Sequence, residues 1–176
     1  MNIRIATSQD LADVQRVHLC AFGEGEGEIV ARLATDLLSE KTTPQLLSLV
    51  AEIDGAIVGH IAFSPVAIEI DENFQGYILA PLGVKPDFQK RRTGARLIED
   101  GMRRLSAMGA NVVFVYGDPN YYSRFGFTAD AAHAYSTPYK LQYPSGWQAI
   151  VLNECAIENA PVAITCVKPL CNEKLW

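Results

Sequence analysis

Apolar residues recur along the chain at two spacings, and the switches between them mark the elements. Ile3 and Ile5 alternate with polar neighbours, a period of two that predicts a short strand. Ser8 or Asp10 stands where a helix cap belongs. Leu11, Val14, Val17, His18 and Ala21 then follow at helical spacing. The segment FGEGEGE, Phe22 to Glu28, breaks the pattern, and Ile29, Leu33, Leu37 and Leu38 resume it as a second helix face. From Gln45 the period returns to two. LLSLVAEIDGAIVGHIAFSPVAIEI predicts two strands joined at Asp54-Gly55, a two-residue hairpin signal. GYILAPLGV, Gly76 to Val84, predicts another strand with a break at its centre. Leu97, Ile98, Gly101, Met102, Leu105 and Met108 make one helix face that closes at Gly109. NVVFVYG predicts a buried strand and DPNYYSRFGF a turn with a short helix. GWQAIVLN and APVAITCV add two strands.

This order of elements predicts an α/β (α+β) fold built on a mostly antiparallel sheet. At roughly 150 residues per domain, 176 residues predict a single domain over 1–176. Apolar residues form 49% of the chain, enough for a core and too many for a disordered segment. No apolar run reaches the roughly 18 residues that span a bilayer, and MNIRIATSQD does not resemble a signal peptide. Cys20, Cys155, Cys166 and Cys171 form no C-x-x-C pair and have no histidine at zinc-ligand spacing. Free, mostly buried thiols in a reducing cytoplasm are the expectation, with no metal.

The net charge of -5 argues against nucleic acid or an anionic membrane as partner. Charge is nevertheless concentrated: Lys85, Lys90, Arg91, Arg92, Arg96, Arg103 and Arg104 are seven of the 15 basic residues. Arg103 and Arg104 suit a solvated helix face. The Lys90-Arg91-Arg92 run lies in the turn before the helix, where unpaired N–H groups and the positive end of the helix dipole favour an anion. No aromatic stacking platform sits beside the patch, which argues further against nucleic acid. QKRRTGA carries one glycine, so it is neither a Walker loop nor a dinucleotide fingerprint. Pro81 and Gly83 interrupt the preceding strand, as at a bulge or where two strands part.

LGVKPDFQKRRTGARLIEDG resembles motif A of the GNAT N-acetyltransferase superfamily. Pro86 and Phe88 fit the lead-in, Gln89 the Gln/Arg position and Gly94 the last glycine, whereas Arg92 stands at a glycine position. YYSRFGF resembles motif B, with Tyr122 and Gly126-Phe127 in place. The element order matches from Met1 to about Val167, and LAPLGV with GDPNYYSRFGF is similar to the YhbS-type subgroup. The resemblance implies a mixed sheet with a split central strand pair and helices on both faces. It implies acetyl-CoA as cosubstrate, its pyrophosphate on Gln89, Lys90, Arg91, Arg92, Thr93, Gly94 and Ala95. The pantetheine arm is implied along Leu82, Gly83 and Val84, where a backbone N–H polarises the thioester. Tyr122, a phenol protonated at neutral pH, is the implied donor to the leaving thiolate.

The implied reaction is direct transfer of acetyl to a primary amine in a ternary complex. An inactive acyl-CoA-binding sensor of the same fold is the alternative, admitted by Arg92. The base stays open between His60 and the acidic Glu24, Glu26 and Glu28, and those carboxylates lean toward a cationic small-molecule acceptor. Ser64 is a further candidate for the acceptor side. His18 and His133 have surface or packing roles in this reading. A homodimer is common in the family.

Overall fold

The computed structural model describes residues 1–69, 71–153 and 161–176. The chain divides into two compact units, Met1–Phe63 with Ala80–Arg104, and Ser64–Leu79 with Leu105–Trp176.

In the first unit, β1 (Asn2–Ile5) pairs antiparallel with β2 (Leu47–Ile53), Asn2 opposite Glu52 and Ile5 opposite Leu49. β2 pairs antiparallel with the first half of β3 (Ala56–Ile68), Leu47 opposite Phe63, with a register shift between Ala51 and Glu52. The hairpin turn has both Asp54 and Gly55 at positive φ, 50° and 76°. That is the twist a two-residue connection requires. α1 (Leu11–Phe22) and α2 (Glu26–Ser39) bury Val14, Val17 and Ala34 against Val50 and Ile57. α2 begins at Glu26, three residues earlier than the apolar pattern shows, because its first turn, before Ile29, carries the exposed Glu26 and Glu28 and no large apolar side chain.

Successive residues of a strand face opposite sides of the sheet, and β3 uses both. A Cβ at Gly59 would meet Leu97 at 3.1 Å and Thr93 at 3.3 Å on α3 (Thr93–Ala107), and Gly101 of that helix lies against the Phe63 ring. His60, the next residue, turns to the other face and meets His18 of α1. Helices therefore cover both faces, as the resemblance implies.

The second unit contains the start of β4 (Gly76–Val84), which runs parallel to β5 (Val112–Tyr116) from Gly76 opposite Val112 to Leu79 opposite Val115. The ladder ends there, although β4 continues for five more residues. α4 (Pro119–Tyr122) and α5 (Ala129–Ala132) follow, and then β6 (Tyr135–Ser136), β7 (Trp147–Val151) and β8 (Val162–Cys166). β5 pairs antiparallel with β7, the end of β3 antiparallel with β8, and β6 parallel with β8. The fold is thus an α+β arrangement on a mixed, mostly antiparallel sheet. Phe114 stacks on Trp147 at 5.1 Å and meets Tyr135 edge-on at 4.8 Å, and Trp147 meets Trp176 at 6.1 Å.

The expectation of mostly buried thiols is corrected here. Cys20 and Cys171 are exposed and Cys166 is half-buried, all of them free. Ile70, Cys155 and Ala160, assigned to two strands and the thiol set by the sequence pattern, lie outside the described residues.

Candidate active site

The turn before α3 is built by side chains that fasten it from inside. Pro86 opens a short 3-10 turn closed by Phe88 N–H to Lys85 O at 2.9 Å and Gln89 N–H to Pro86 O at 3.2 Å. Thr93, 2% exposed, donates its hydroxyl to Phe88 O at 3.0 Å and rests its methyl on bare Gly59. The Gln89 amide donates to Val84 O at 2.9 Å and ties the turn to the end of β4. Arg96 N–H is the first to find a carbonyl four residues back, Arg92 O at 2.9 Å. The N–H groups of Thr93, Gly94 and Ala95 precede it and have no such partner within the helix, the arrangement that receives anions.

The basic residues divide between ion pairs and open positions, and Arg92 departs from the rest of the Lys90-Arg91-Arg92 run by being paired. Arg103 and Arg104 both pair with Asp100, Arg104 Nε at 2.6 Å, and Arg92 pairs with Glu99 at 2.9 Å. Lys90 and Arg91 are exposed and make no ion pair among the described residues, and Arg91 lies over the Phe88 ring at 5.9 Å. Lys90 and Arg92 have φ of 57° and 63°. Arg92 thus takes the left-handed conformation that glycine favours, and its guanidinium is engaged with a carboxylate.

The end of β4 has one paired and one free edge. Lys85 N–H donates to Val58 O of β3 at 2.9 Å. Peptide groups alternate along a strand, so Gly83 also faces β3 while Leu82 and Val84 face the opposite edge. Val84 O on that edge is taken by Gln89, which leaves the Leu82 N–H and C=O and the Val84 N–H without a ladder partner among the described residues.

In the second unit, Tyr122 ends α4, whose first N–H groups are capped by Asp118. Its ring meets Tyr121 at 5.1 Å and Phe127 at 5.9 Å and lies against bare Gly117. Its hydroxyl makes no hydrogen bond among the described residues. Burial, and then the neighbouring Tyr121, push the phenol well above its ordinary value of 10.0, so it stays protonated at neutral pH. Tyr121 lies between Tyr122 and Phe125 with the Arg124 guanidinium 4.5 Å from its ring centre.

Residues 2–129 match the model of the acetyltransferase (GNAT) domain. The chain belongs to the GNAT acetyltransferase family. Among GNAT relatives it is 38% identical to the uncharacterized N-acetyltransferase YjhQ of Escherichia coli K12 over 141 residues, 78% of this chain and 75% of that one. Its fold is similar to the E. coli N-acetyltransferase YhbS in complex with CoA, with a TM-score of 0.81 and 28% identity, covering 96% of this chain and 90% of that one. It is also similar to a GNAT acetyltransferase of Brucella melitensis in complex with acetyl-CoA, with a TM-score of 0.72 and 32% identity, covering 92% and 94%.

The candidate bases of this GNAT chain separate by exposure. Glu24, Glu26 and Glu28 are exposed at and after the glycine-rich break. His60 is fully buried, its Nε2 2.8 Å from Ser48 Oγ and its Nδ1 2.8 Å from His18 Nε2, so direct contact with an acceptor is closed to it. Burial, together with the adjacent imidazole, holds His60 well below its ordinary range, and burial brings His18 down to about 4. His18, for which the sequence indicates a surface or packing role, is fully buried and packed; what the sequence does not indicate is its hydrogen bond to His60. Ser64 is fully buried with its hydroxyl unpartnered among the described residues, and His133 is exposed.

Proposed function

We propose that the chain, over residues 1–176 as one catalytic domain, is an N-acetyltransferase that moves acetyl from acetyl-CoA directly to a primary amine in a ternary complex. The observation that carries this reading is the turn from Gln89 to Ala95. Free N–H groups of a helix start there coincide with two unpaired cations, Lys90 and Arg91, on a loop fastened by Gln89 and Thr93. The pyrophosphate of coenzyme A is the anion that suits it. The free edge at Leu82 and Val84 pairs with the pantetheine amides as an added strand would, and one N–H polarises the thioester carbonyl and stabilises the tetrahedral oxyanion.

In the reaction, the neutral amine attacks the thioester carbon, the C–S bond breaks, the thiolate takes a proton, and the acetylated nitrogen gives one up to solvent. Tyr122 is the proton donor, its hydroxyl free among the described residues and kept protonated at neutral pH by burial. The exposed carboxylates Glu24, Glu26 and Glu28 favour a cationic small-molecule acceptor. The left-handed backbone of Arg92 supports an active enzyme, because the turn keeps a conformation suited to glycine despite the larger residue. The free thiols fit a reducing cytoplasm.

Gly94→Pro tests the reading. Proline is tolerated in the first turn of a helix, so the substitution removes one N–H donor while leaving α3. Titration calorimetry should show coenzyme A affinity falling at least tenfold. Unchanged affinity would remove the turn as the phosphate site.

A further inference from the structure

Gly83 is a glycine for want of space. Its φ lies outside the left-handed region, so its backbone path is open to other residues. A Cβ built on it, however, would fall 2.6 Å from His18 Nδ1 and 2.8 Å from His18 Cε1. The imidazole therefore rests directly on the bare face of β4, one residue from each peptide group of the free edge.

That ring is held by two neighbours. It stacks on Phe22 at 6.0 Å, meets His60 edge-on at 5.0 Å, and shares a 2.8 Å hydrogen bond from Nε2 to His60 Nδ1. His60 is fixed in turn by Ser48 Oγ at 2.8 Å, and Ser48 lines an open cleft with Thr42, Gln45 and Leu46. Both histidines have no solvent exposure. His18 Nδ1 has no hydrogen-bond partner among the described residues. Unpaired buried N–H groups are rarer than unpaired acceptors. The line therefore runs outward: His18 Nε2–H donates to His60 Nδ1, His60 Nε2–H donates to Ser48 Oγ, and the Nδ1 lone pair faces Gly83. Both ring N–H groups of the line are paired and only the terminal Nδ1 acceptor is not, so the two hydrogen bonds fix one arrangement of its members.

We propose that His18 is a positioning residue for the end of β4: anchored through His60 and Ser48, its imidazole is the stop against which Gly83 rests, and it sets where the Leu82 and Val84 backbone groups lie. The inference rests on the reading of that edge as the thioester site. A hydrogen bond to a thioester carbonyl weakens steeply with distance and angle, so a small displacement of the strand lowers carbonyl polarisation. Besides the Gln89 tie to Val84 O, the turn that holds the phosphates has fastenings of its own away from the strand end, Thr93 to Phe88 O and against Gly59. Displacement should therefore affect the acyl group far more than coenzyme A affinity.

The test is a double-mutant cycle on Gly83→Ala and His18→Ala. It is read by the infrared stretch of ¹³C-labelled acetyl-CoA carbonyl bound to the full chain, with affinity measured by calorimetry. In the unsubstituted protein the stretch should move to lower frequency than in free acetyl-CoA. Gly83→Ala should lose most of that movement with affinity within threefold, because its Cβ collides with the imidazole. His18→Ala with Gly83→Ala should recover it, since the methyl enters the vacated room. If His18→Ala does not fold, Ser48→Ala replaces it. Loosening the far end of the line should cost part of the movement, and a full movement in both Ser48→Ala and Gly83→Ala overturns the inference. Binding with an unmoved carbonyl in the unsubstituted protein also overturns it. No binding of acetyl-CoA at all overturns the functional reading, and the inference with it.

Discussion

Arg92 Nη2 lies 2.9 Å from Glu99 Oε1, seven residues along, while the arginine's own backbone holds φ at 63°. The two facts pull in opposite directions. A left-handed non-glycine residue is disfavoured by roughly 1–2 kcal/mol, and an exposed ion pair returns only about 0–1 kcal/mol. Arg92→Gly should therefore melt at or above the unsubstituted protein, and Arg92→Ala, which keeps the strain and loses the pair, below it. Coenzyme A affinity should change less than about threefold in Arg92→Ala, because the guanidinium is already engaged with Glu99. A large loss for coenzyme A but not for its dephospho form would instead assign Arg92 to the 3′-phosphate.

Tyr122→Phe should lower kcat by about 10²–10⁴-fold with little change in KM for acetyl-CoA. Tyr121→Phe, a change in the adjacent ring, should leave both near the original values. Because burial holds the Tyr122 phenol above its ordinary range, the rate should not fall through its ionisation at any pH below about 10. A pH–rate series on the unsubstituted protein checks this, and an alkaline limb near pH 8 that disappears in Tyr122→Phe would contradict it.

Gly117→Ala tests the same ring from beneath. Its Cβ would lie 2.5 Å from Tyr122 Cε2 and 3.2 Å from Cδ2, so the ring must shift. Overpacking of this kind costs about 1–3 kcal/mol. Activity should fall well beyond that stability loss, and adding Tyr122→Phe should produce little further decline. Additive losses in kcat would show that Gly117 acts elsewhere.

Asp10 gives the fold an acid limit. Its carboxylate accepts from Arg4 at 2.8 and 2.9 Å and from Thr7 N–H at 2.7 Å, and Arg4 also reaches Glu52 at 3.1 Å. These bonds, the Arg4 contact foremost, lower its pKa from 3.8 to about 2. A lowered folded-state pKa means stability present above the unfolded value near 4 and lost as pH falls toward 2. Asp10→Asn should lose about 2 kcal/mol at pH 7, as for a charged hydrogen bond, and show a smaller drop in stability between pH 4 and 2. Urea unfolding at the three pH values measures both.

Local signals were legible where one short stretch decides the outcome. Asp54-Gly55 dictates its own turn, and the apolar face of α3 fixes which side of the helix is buried. Arg103 and Arg104 were read as a solvated face and do pair with Asp100 on it. What escaped depends on distant partners. His18 and His60 are 42 positions apart, and nothing in either neighbourhood announces the other. The two-residue β6 is a strand through its pairing with β8. Gly83 reads as a backbone interruption in the sequence, yet its reason is an imidazole on another element. The left-handed φ of Arg92 runs against its residue type, so propensity alone points the wrong way there.

Both indoles of the chain, Trp147 and Trp176, belong to the second compact unit and lie 6.1 Å apart, with Trp147 stacked on Phe114. Intrinsic emission is therefore a one-sided reporter. Quenching or a red shift on denaturation records the loosening of that aromatic stack and carries no channel from the unit that holds Gln89 to Ala95. Phe88→Trp, at the mouth of the turn, would place a fluorophore where nucleotide occupancy could be followed directly.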